Sequence, residues 1–327
     1  MAPTQTQPKT LILGAGLTGV ALSRKLTELG LSNLIIEKSR GVGGRLASRR
    51  IYNNVFDHGS QHIELFASGS ADFKKFITAP EDTVLWDQNK DHSFYSYQSG
   101  MTSLLKHHSR GLDITFNTKI TEIFRTDNLW NLKDENSKIY TANNLVLTAP
   151  LTQSLKILAD SKINYPQELN KISYAKKIVL LVSLKQTETY KFSNPDIKKI
   201  YLQNSKRDNP DTTYTLVMND QFSNENFELP DADLNEKVRT VLNSDNLVNQ
   251  NLIELQVKKW RYAYPLNGLN LPYLQVSNNI YLAGDVFAGT ELQESALKVI
   301  SPKFNPGNNT YNSAISLAKK ITSLSSL

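Results

Sequence analysis

Residues 9–19 read KTLILGAGLTG, and this stretch decides the fold. Residues 9–13 have the length of a short strand and end in three apolar residues, which predicts a buried strand, and a glycine-rich turn follows at once. Leucines at helical spacing then predict a helix, and a glycine stands at position 30, where a helix C-cap belongs. Residues 34–36 predict a second strand, which ends in an acid, Glu37. This order of strand, glycine turn, helix, strand and acid predicts a βαβ unit.

Each part of this unit suits a dinucleotide. Gly14 allows the tight turn, Gly16 lets the backbone approach a pyrophosphate, and Gly19 lets the helix pack closely on the strand. The free N–H groups at the helix N-terminus attract phosphate, and Glu37 can accept hydrogen bonds from ribose hydroxyls. The alternative is a plain Rossmann-like unit with chance glycines. The residues predicted to bind the dinucleotide are Gly14, Gly16, Leu17, Thr18, Gly19 and Glu37.

A second glycine turn follows the acid directly, since residues 38–45 read KSRGVGGR. The pattern resembles the GxGGR stretch of flavin-dependent amine oxidases. Its N–H groups and the Arg45 guanidinium offer a pyrophosphate the fork of donors that phosphate oxygens accept. A helix is expected here in an NAD-dependent dehydrogenase, so the turn favours FAD, bound non-covalently; the alternative is a flexible basic loop. The further residues predicted to contact FAD are Lys38, Gly44, Arg45 and Leu46.

The composition of the 327 residues is that of a globular chain, with 39% hydrophobic residues. There are no cysteines, which excludes disulfides, thiolate metal sites, cysteine nucleophiles and a flavin tethered through cysteine. The five histidines show no metal-ligand spacing, so no metal is predicted. The net charge of +6 is spread along the chain, which suits an anionic cofactor or substrate better than a nucleic acid.

Neither a signal segment nor a membrane span is predicted. Residues 1–8 are polar, and the longest apolar run, residues 178–184, is far too short to cross a bilayer. We therefore expect a cytoplasmic protein without a membrane partner.

The chain is predicted to be α/β and to alternate between two domains. A Rossmann-like FAD-binding domain, with a parallel sheet and a β-meander, takes residues 1–62, 96–150 and 255–327. A smaller α+β substrate domain with an antiparallel sheet takes residues 63–95 and 151–254. Residues 63–99 are predicted to be mostly loop. The other predicted elements are strands at 56–62, 113–120, 121–124, 145–150, 178–184, 200–203, 214–218 and 279–285, a hairpin at 130–140, a helix at 102–108, and a terminal helix whose apolar face is Ala314, Leu317, Ala318, Ile321 and Leu324.

Several motifs occur in an order that resembles a known family. They are the two glycine turns, FDHGSQ at 56–61, LVLTAP at 145–150, KWRY at 259–262, and AGD at 283–285 before the terminal helix. Together they resemble the renalase family, a compact branch of the flavin amine oxidase superfamily. The likeness is loose over residues 63–95 and 151–254. An additional polar segment at 289–307 departs from the pattern, and it is either a lid or a surface excursion.

The resemblance implies further roles around FAD. Ile120, ending its strand, is expected to hold the adenine through its backbone, and Asp285 to accept from a ribitol or pyrophosphate-side hydroxyl. Residues 309–314 are expected to begin the last helix under the pyrimidine edge of the flavin, where a helix N-terminus stabilises the charge of the reduced ring. The cofactor residues implied in this way are Gln61, Ile120, Thr148, Gly284, Asp285, Asn309, Tyr311, Asn312 and Ala314.

The predicted catalytic residues are Gln61, His62, Trp260 and Tyr262, with Tyr264 also lining the flavin face. Gln61 is expected to bond flavin N5 or a substrate amide, and the aromatic rings to sandwich a planar substrate. Trp260 is nearly as well explained as a core residue. His62 is open to three interpretations, namely a general base, a satisfied half-buried histidine, or a covalent flavin tether.

The resemblance implies an FAD-dependent oxidase. A hydride passes from the substrate to flavin N5, and oxygen reoxidises the flavin to give hydrogen peroxide. The implied substrate is a misreduced isomer of NADH or NADPH, a dihydronicotinamide dinucleotide. Two alternatives stay open: an amine oxidase acting on a small amine or polyamine, and a non-catalytic FAD-binding protein. The oligomeric state is not predicted.

Overall fold

The predicted βαβ unit is present in the computed structural model of the chain, which describes residues 8–185, 190–243, 251–289, 299–300 and 306–325. Contacts divide the chain into two units, each built from separate segments. The first unit consists of Met1–Gly44, Leu105–Ser173 and Pro265–Leu327, and the second of Arg45–Leu104 and Tyr174–Tyr264.

The described residues contain both helices and strands throughout. The α-helices are α1 Leu17–Glu28, α2 Ala71–Thr78, α3 Thr102–His108, α4 Leu151–Asp160, α5 Asp220–Asn226, α6 Asp231–Asn243 and α7 Pro306–Ser325. The strands are β1 Thr10–Leu13, β2 Asn33–Ile36, β3 Ser48–Ile51, β4 Asn54–Asp57, β5 Ile63–Phe66, β6 Thr83–Gln88, β7 His92–Tyr97, β8 Ile114–Thr115, β9 Ile120–Thr126, β10 Leu129–Asp134, β11 Ile139–Ala142, β12 Asn144–Leu147, β13 Lys177–Leu184, β14 Ile197–Leu202, β15 Thr212–Met218, β16 Leu252–Trp260, β17 Gly268–Leu269, β18 Leu274–Ser277, β19 Ile280–Leu282 and β20 Val299–Ile300.

A six-stranded sheet of order β18-β19-β12-β1-β2-β8 forms the centre of the first unit. Its neighbouring strands are parallel except for β18, which pairs antiparallel with β19. Leu11 and Ile12 are fully buried, as expected for a central strand of a parallel sheet. Helix α1 ends at Glu28 with Leu29 as its C-cap residue, so the predicted cap is one residue late; Gly30 follows with a positive φ of 74°.

The terminal helix packs against α1 through the predicted apolar face. Leu317, Ala318 and Ile321 are buried, but Leu324 is 40% exposed, so its place on the buried face was predicted wrongly. Leu324 lies in the last turn of α7, beyond the residues that α7 buries.

A three-stranded meander, β9-β10-β11, contains the predicted hairpin of residues 130–140. The strand predicted for residues 113–120 is wrong in extent, because β8 covers only Ile114–Thr115. Asn117 takes a positive φ of 52°, which interrupts the extended backbone. Ile120 therefore begins β9 and does not end a strand.

An antiparallel sheet of order β14-β15-β13-β16 lies in the second unit, as predicted for this part of the chain. Strand β13 is buried along its whole length. One face of the sheet packs on helices α5 and α6, where Phe222, Leu234 and Val238 join a single apolar cluster with Ile178 and Leu180. This cluster is the main core of the unit.

Residues 63–97 are not the predicted loop. They form the three-stranded sheet β5-β7-β6 and helix α2. Ile63 and Leu65 alternate with half-buried residues along β5, which is the period of a strand with one face covered. The side chain of Ser70 caps α2 by accepting a hydrogen bond from the N–H of Phe73. The polar residues between these elements concealed the alternation.

The two units divide the chain at other points than the predicted domains. Residues 45–62, 96–104 and 255–264 belong to the second unit, and residues 151–173 to the first. The β3–β4 hairpin accounts for the first of these differences, because its Ile51 and Phe56 pack with Val179 and Leu181 of β13. The assignment of FAD binding and substrate binding to the two units stays a prediction. Most of the additional segment at 289–307 lies outside the described residues.

Candidate functional site

The first glycine turn has the geometry that a dinucleotide requires. Gly14 has a φ of +115°, and a Cβ added there would lie 2.8 Å from Oγ1 of Thr148. A Cβ on Gly19 would lie 1.9 Å from the carbonyl oxygen of Gly14, so α1 can pack on the turn only with glycine at this position. A Cβ on Gly16, in contrast, would meet nothing within 4 Å. The turn is thus closed toward the protein and open at Gly16.

The N-terminus of α1 opens at the same place. Gly16 is the N-cap residue, and it provides no side-chain hydrogen bond to the helix N–H groups. The first turn, which contains Leu17 and the buried Thr18, holds no acidic residue. Unsatisfied N–H groups and the positive end of the helix dipole therefore remain for an anion.

Glu37 lies directly after β2 and reaches back to the glycine turn. Its Oε2 accepts a hydrogen bond of 2.7 Å from the backbone N–H of Ala15, and its Oε1 accepts one of 2.7 Å from the N–H of Ser39. The side chain is half-buried, while the neighbouring Lys38 is exposed and has its Nζ 3.5 Å from Oε1 of Gln153. Two backbone donors thus orient the carboxylate beside the turn.

The second glycine turn packs on the first. The N–H of Gly43 donates to the carbonyl oxygen of Ala15 at 3.1 Å, and a Cβ on Gly44 would lie 3.1 Å from Cα of Gly16. Both glycines have positive φ values, 149° and 54°. Gly44 therefore joins the predicted dinucleotide residues of the first unit.

Thr148 follows β12 and acts on the first turn through its hydroxyl. The Oγ1 atom donates to the carbonyl oxygens of Leu13 at 3.0 Å and of Gly14 at 3.2 Å. Its hydroxyl is therefore directed at the backbone of the turn. This is a supporting role, which the sequence did not distinguish from direct contact with a cofactor.

The Gly-Asp pair after β19 is also supported by a neighbouring hydroxyl. The N–H of Gly284 donates to Oγ of Ser313 on α7 at 3.1 Å, and Gly284 has a φ of +150°. Asp285 is 3% exposed. Sequence reasoning missed Ser313, because a serine inside a helical pattern carries no signal for such a contact.

Residues 309–314 lie within α7, which begins at Pro306 and thus three residues earlier than predicted. Tyr311 and Ala314 are buried, and Asn309 and Asn312 are half-buried. Ile120 is buried in the meander. A depression at the carboxyl ends of β12 and β19 has no room even for a water molecule. The glycine turns are therefore the better candidate for a cofactor site in this unit.

A buried ionic cluster lies in the second unit around Asp57. One carboxylate oxygen accepts hydrogen bonds from Oγ of Ser48 and the N–H of Met101, at 2.7 Å and 2.8 Å. The other oxygen pairs with the guanidinium of Arg207 and lies 3.6 Å from Nζ of Lys206. All three charged side chains are at most 2% exposed. Sequence reasoning missed both cations, because their partner lies 150 residues away along the chain.

Gln61 belongs to this cluster. Its Nε2 donates to the carbonyl oxygens of Asp57 and Gly59, at 2.6 Å and 3.2 Å. Its Oε1 accepts from Nε2 of Gln203 at 2.9 Å and from Nζ of Lys206 at 3.0 Å. The predicted bond from this amide to a flavin or a substrate would have to replace one of these contacts, and it stays a prediction.

His62 lies next to Gln61 among aromatic side chains. Its ring stacks on that of Trp86, with centroids 5.3 Å apart, and meets Phe94 edge-on at 5.0 Å. Burial, together with the charges of Lys206 and Lys199, lowers the pKa of His62 to about 4. The imidazole is thus neutral at physiological pH. Trp86 and Phe94 were missed because residues 63–99 were predicted to be loop.

A second histidine–tryptophan stack lies at Trp260. The rings of His58 and Trp260 are 5.4 Å apart with an interplanar angle of 30°, and Nε1 of Trp260 donates to the carbonyl oxygen of His58 at 2.7 Å. Trp260 also packs on the apolar cluster of the β3–β4 hairpin. The ring is half-buried and stacks on a histidine, and its predicted place at the flavin face stays a prediction.

The two predicted tyrosines follow β16. Tyr262 meets Tyr174 edge-on at 5.6 Å, and the guanidinium of Arg45 lies 6.0 Å from the ring of Tyr174. Tyr264 is 40% exposed, whereas Leu46 is buried. Within the second unit, Arg45 thus lies beside one of these aromatic rings.

The described part of the chain holds neither a candidate metal site nor a helix that could span a membrane. No group of three or more His, Cys, Asp or Glu side chains lies there in an arrangement that could hold a metal ion. No helix in that part is both long and apolar enough to cross a bilayer.

Comparisons with known proteins agree with this geometry. Residues 12–77 match the family model of an NAD(P)-binding Rossmann-like domain. A putative protoporphyrinogen oxidase from Exiguobacterium sp. 255-15 is 12% identical, with a TM-score of 0.67 over 98% of this chain and 99% of that chain. Wild-type putrescine oxidase with bound putrescine is 12% identical, with a TM-score of 0.62 over 97% of this chain and 98% of that chain.

An engineered triple mutant of putrescine oxidase is similar as well, at 12% identity and a TM-score of 0.64 over 97% of this chain and 99% of that chain. The predicted fold class is therefore confirmed: the chain has a Rossmann-like domain and antiparallel sheets in the fold of these oxidases. The likeness to these solved structures is a likeness of fold. The narrower resemblance to renalase stays a prediction.

Proposed function

We propose that this protein is an FAD-dependent oxidase whose substrate is an isomeric dihydronicotinamide dinucleotide. The observation that supports FAD as the cofactor is the open, uncapped helix N-terminus at Gly16, with the carboxylate of Glu37 oriented beside it. These groups fit the two ends of the ADP part of FAD, because the N–H groups suit the pyrophosphate and the carboxylate suits the ribose. Gly44 at the second turn leaves room for the same pyrophosphate.

When bound, FAD supplies a hydride acceptor that oxygen reoxidises with release of hydrogen peroxide. The residues of the first unit bind and orient it. Thr148 holds the carbonyl groups of the first turn, and Ser313 holds the N–H of Gly284, so that both segments keep their geometry. The roles of Arg45, Asp285 and residues 309–314 at the flavin remain part of this proposal.

The electrostatics of the second unit support the choice of substrate. The charges of Lys206 and Lys199 lower the pKa of His62 more than the charge of Asp87 raises it. His58 likewise feels Lys258 and Arg49 more strongly than Asp57. A local excess of positive charge repels an ammonium ion and attracts a phosphate-bearing ligand.

The neutral histidines support the same substrate. An amine is an ammonium ion at neutral pH and has to lose a proton before a hydride leaves its carbon. With a pKa of about 4, His62 is a weak base for that step. A dihydronicotinamide loses its hydride without a protein base, and its planar ring can pack against the aromatic side chains of this unit.

A small amine is the second candidate, because one structure of the same fold is a putrescine oxidase with putrescine bound. The edge-on pair of Tyr174 and Tyr262 is the aromatic feature that could receive an alkylammonium group. The positive surroundings of both histidines weigh against this substrate.

Anaerobic rapid mixing of the FAD-loaded protein tests the proposal. We expect the 2- and 6-dihydro isomers of NADH and NADPH to bleach the flavin absorbance, and putrescine and ordinary NADH to leave it unchanged. Bleaching by putrescine alone would establish the amine oxidase instead. A protein that binds FAD but responds to no reductant would be the non-catalytic alternative, and one that takes up no FAD would disprove the proposal.

A further inference from the structure

Three nitrogen-bearing side chains in the second unit converge without a carboxylate partner. The first is Arg49 in β3. It pairs across the hairpin with Phe56 and shares a strand face with Ile51, two residues on. Ile51 and Phe56 pack in one cluster with Val179 of β13. Arg49 therefore lies on the face of the hairpin that is directed at the sheet.

The second is Lys258 in β16. It pairs with Val179 and shares a strand face with Trp260, which packs against the same cluster. Arg49 and Lys258 thus flank one apolar contact from opposite elements. Burial and then the charge of Arg49 lower the pKa of Lys258, which agrees with their proximity.

The third is His58, whose ring stacks on Trp260. Its Nδ1 is buried without a hydrogen-bond partner among the described residues. Burial, followed by the charges of Lys258 and Arg49, lowers the pKa of His58 to about 4. Arg49 and Lys258 thus both lower the pKa of His58, and Arg49 also lowers the pKa of Lys258.

The nearby carboxylate does not neutralise these cations. Asp57 is the acidic group that raises the pKa of His58, but its oxygens are bonded to Ser48, Met101 and Arg207. Across the described parts of the chain, neither Arg49 nor Lys258 has a carboxylate within ion-pair distance. Arg49 is exposed and Lys258 is half-buried, so an anion can reach both from solvent, and binding it would relieve the repulsion between the two like charges.

We propose that Arg49, Lys258 and His58 form a subsite for a phosphate group of the substrate. The guanidinium and the ammonium supply charge-assisted donors, and the neutral imidazole can donate from Nδ1. The identity of the ligand rests on the proposed function, since a dihydronicotinamide dinucleotide carries a pyrophosphate and putrescine carries no anion.

The test titrates inorganic pyrophosphate into the FAD-loaded protein and follows the imidazole nitrogens of His58 by NMR, with Kd from calorimetry. We expect the His58 signals to shift on binding. Arg49→Gln and Lys258→Gln should each weaken binding about tenfold or more, the effect of losing one charge-assisted contact. Arg50→Gln is the matched control, because Arg50 is exposed like Arg49 but lies on the other face of β3.

Unchanged His58 signals, or equal weakening by Arg50→Gln, would overturn the subsite. A second titration with NAD⁺ separates the sources of the phosphate. Competition between NAD⁺ and pyrophosphate at His58 supports a substrate subsite, whereas a response to pyrophosphate alone overturns it. The absorbance of bound FAD is measured before the titration. A protein that binds no FAD then contradicts the proposed function, and this result is separate from any result on the phosphate subsite. Thermal unfolding of each variant confirms that it is folded.

Discussion

Gly19 on α1 faces the carbonyl oxygen of Gly14 so closely that a Cβ on Gly19 would lie 1.9 Å from it. The contact joins the first helix to the turn that precedes it. No side chain can be accommodated there without moving the helix away from β1. Position 19 therefore requires glycine, while Gly16, between the two glycines, faces open space.

We predict that Gly19→Ala and Gly16→Ala separate stability from cofactor binding. Gly19→Ala forces backbone atoms apart and should cost about 1–3 kcal/mol in unfolding free energy. Gly16→Ala should change stability by less than about 1 kcal/mol but weaken FAD binding roughly 10- to 150-fold, the loss of one hydrogen bond to a charged group. Urea unfolding and flavin titration measure the two effects. Equal loss of stability in both variants would contradict this account.

Glu37→Ala should release FAD while leaving the fold intact. The carboxylate accepts hydrogen bonds from the N–H groups of Ala15 and Ser39, and these donors can turn to water when it is removed. Loss of a charged acceptor for the ribose should raise the Kd of FAD roughly tenfold or more. Glu28→Ala on the exposed end of α1 is the control and should leave the Kd unchanged. An unaltered Kd in Glu37→Ala would remove Glu37 from the site.

Asp57→Asn should strongly destabilise the protein. It leaves Arg207 and Lys206 buried with no carboxylate to balance their charges. Breaking a buried ion pair in this way costs about 3–5 kcal/mol. Urea unfolding measures the change against Asp160→Asn, which removes an exposed partner of Lys156 and should have little effect. A small effect of Asp57→Asn would mean that the cluster is far more hydrated than its burial indicates.

Stability should fall on acidification between about pH 6.5 and pH 4. The pKa values of His58 and His62 are lowered from 6.5 to about 4 in the folded protein. The unfolded chain therefore binds more protons in this interval, so its free energy drops relative to that of the folded state. The stabilisation is complete above pH 6.5 and is lost as the pH approaches 4.

Substituting the two histidines distinguishes their contribution to this loss of stability from that of the carboxylates, which also titrate in acid. Each shift, from 6.5 to about 4, corresponds to roughly 3 kcal/mol, because one pKa unit is about 1.36 kcal/mol. His58→Asn and His62→Asn should each flatten the dependence of unfolding free energy on pH between 6.5 and 4.5. A slope as steep as that of the parent protein in both variants would assign the effect to other groups.

The sequence by itself determined the βαβ unit at the start of the first unit. The unit consists of consecutive elements: a strand, a glycine turn, a helix, a second strand and Glu37. Their geometry therefore follows from local backbone preferences and from the spacing of apolar residues. The glycines at 14, 16 and 19 could be assigned roles because each role is set by the space around one Cα. The buried strands of residues 145–147 and 178–184 were equally evident, since a short run of apolar side chains indicates burial.

Only the tertiary structure decided the second unit. The ionic cluster joins Asp57 to residues 150 positions further along the chain, and the two histidine–tryptophan stacks join His58 to Trp260 and His62 to Trp86. Such contacts depend on how strands are paired and which faces they present. The sheet of residues 63–97 was mistaken for loop because its alternation is interrupted by polar turns. The pKa values of these ionisable groups and the partners of these aromatic rings depend on tertiary packing. No local sequence pattern specifies that packing.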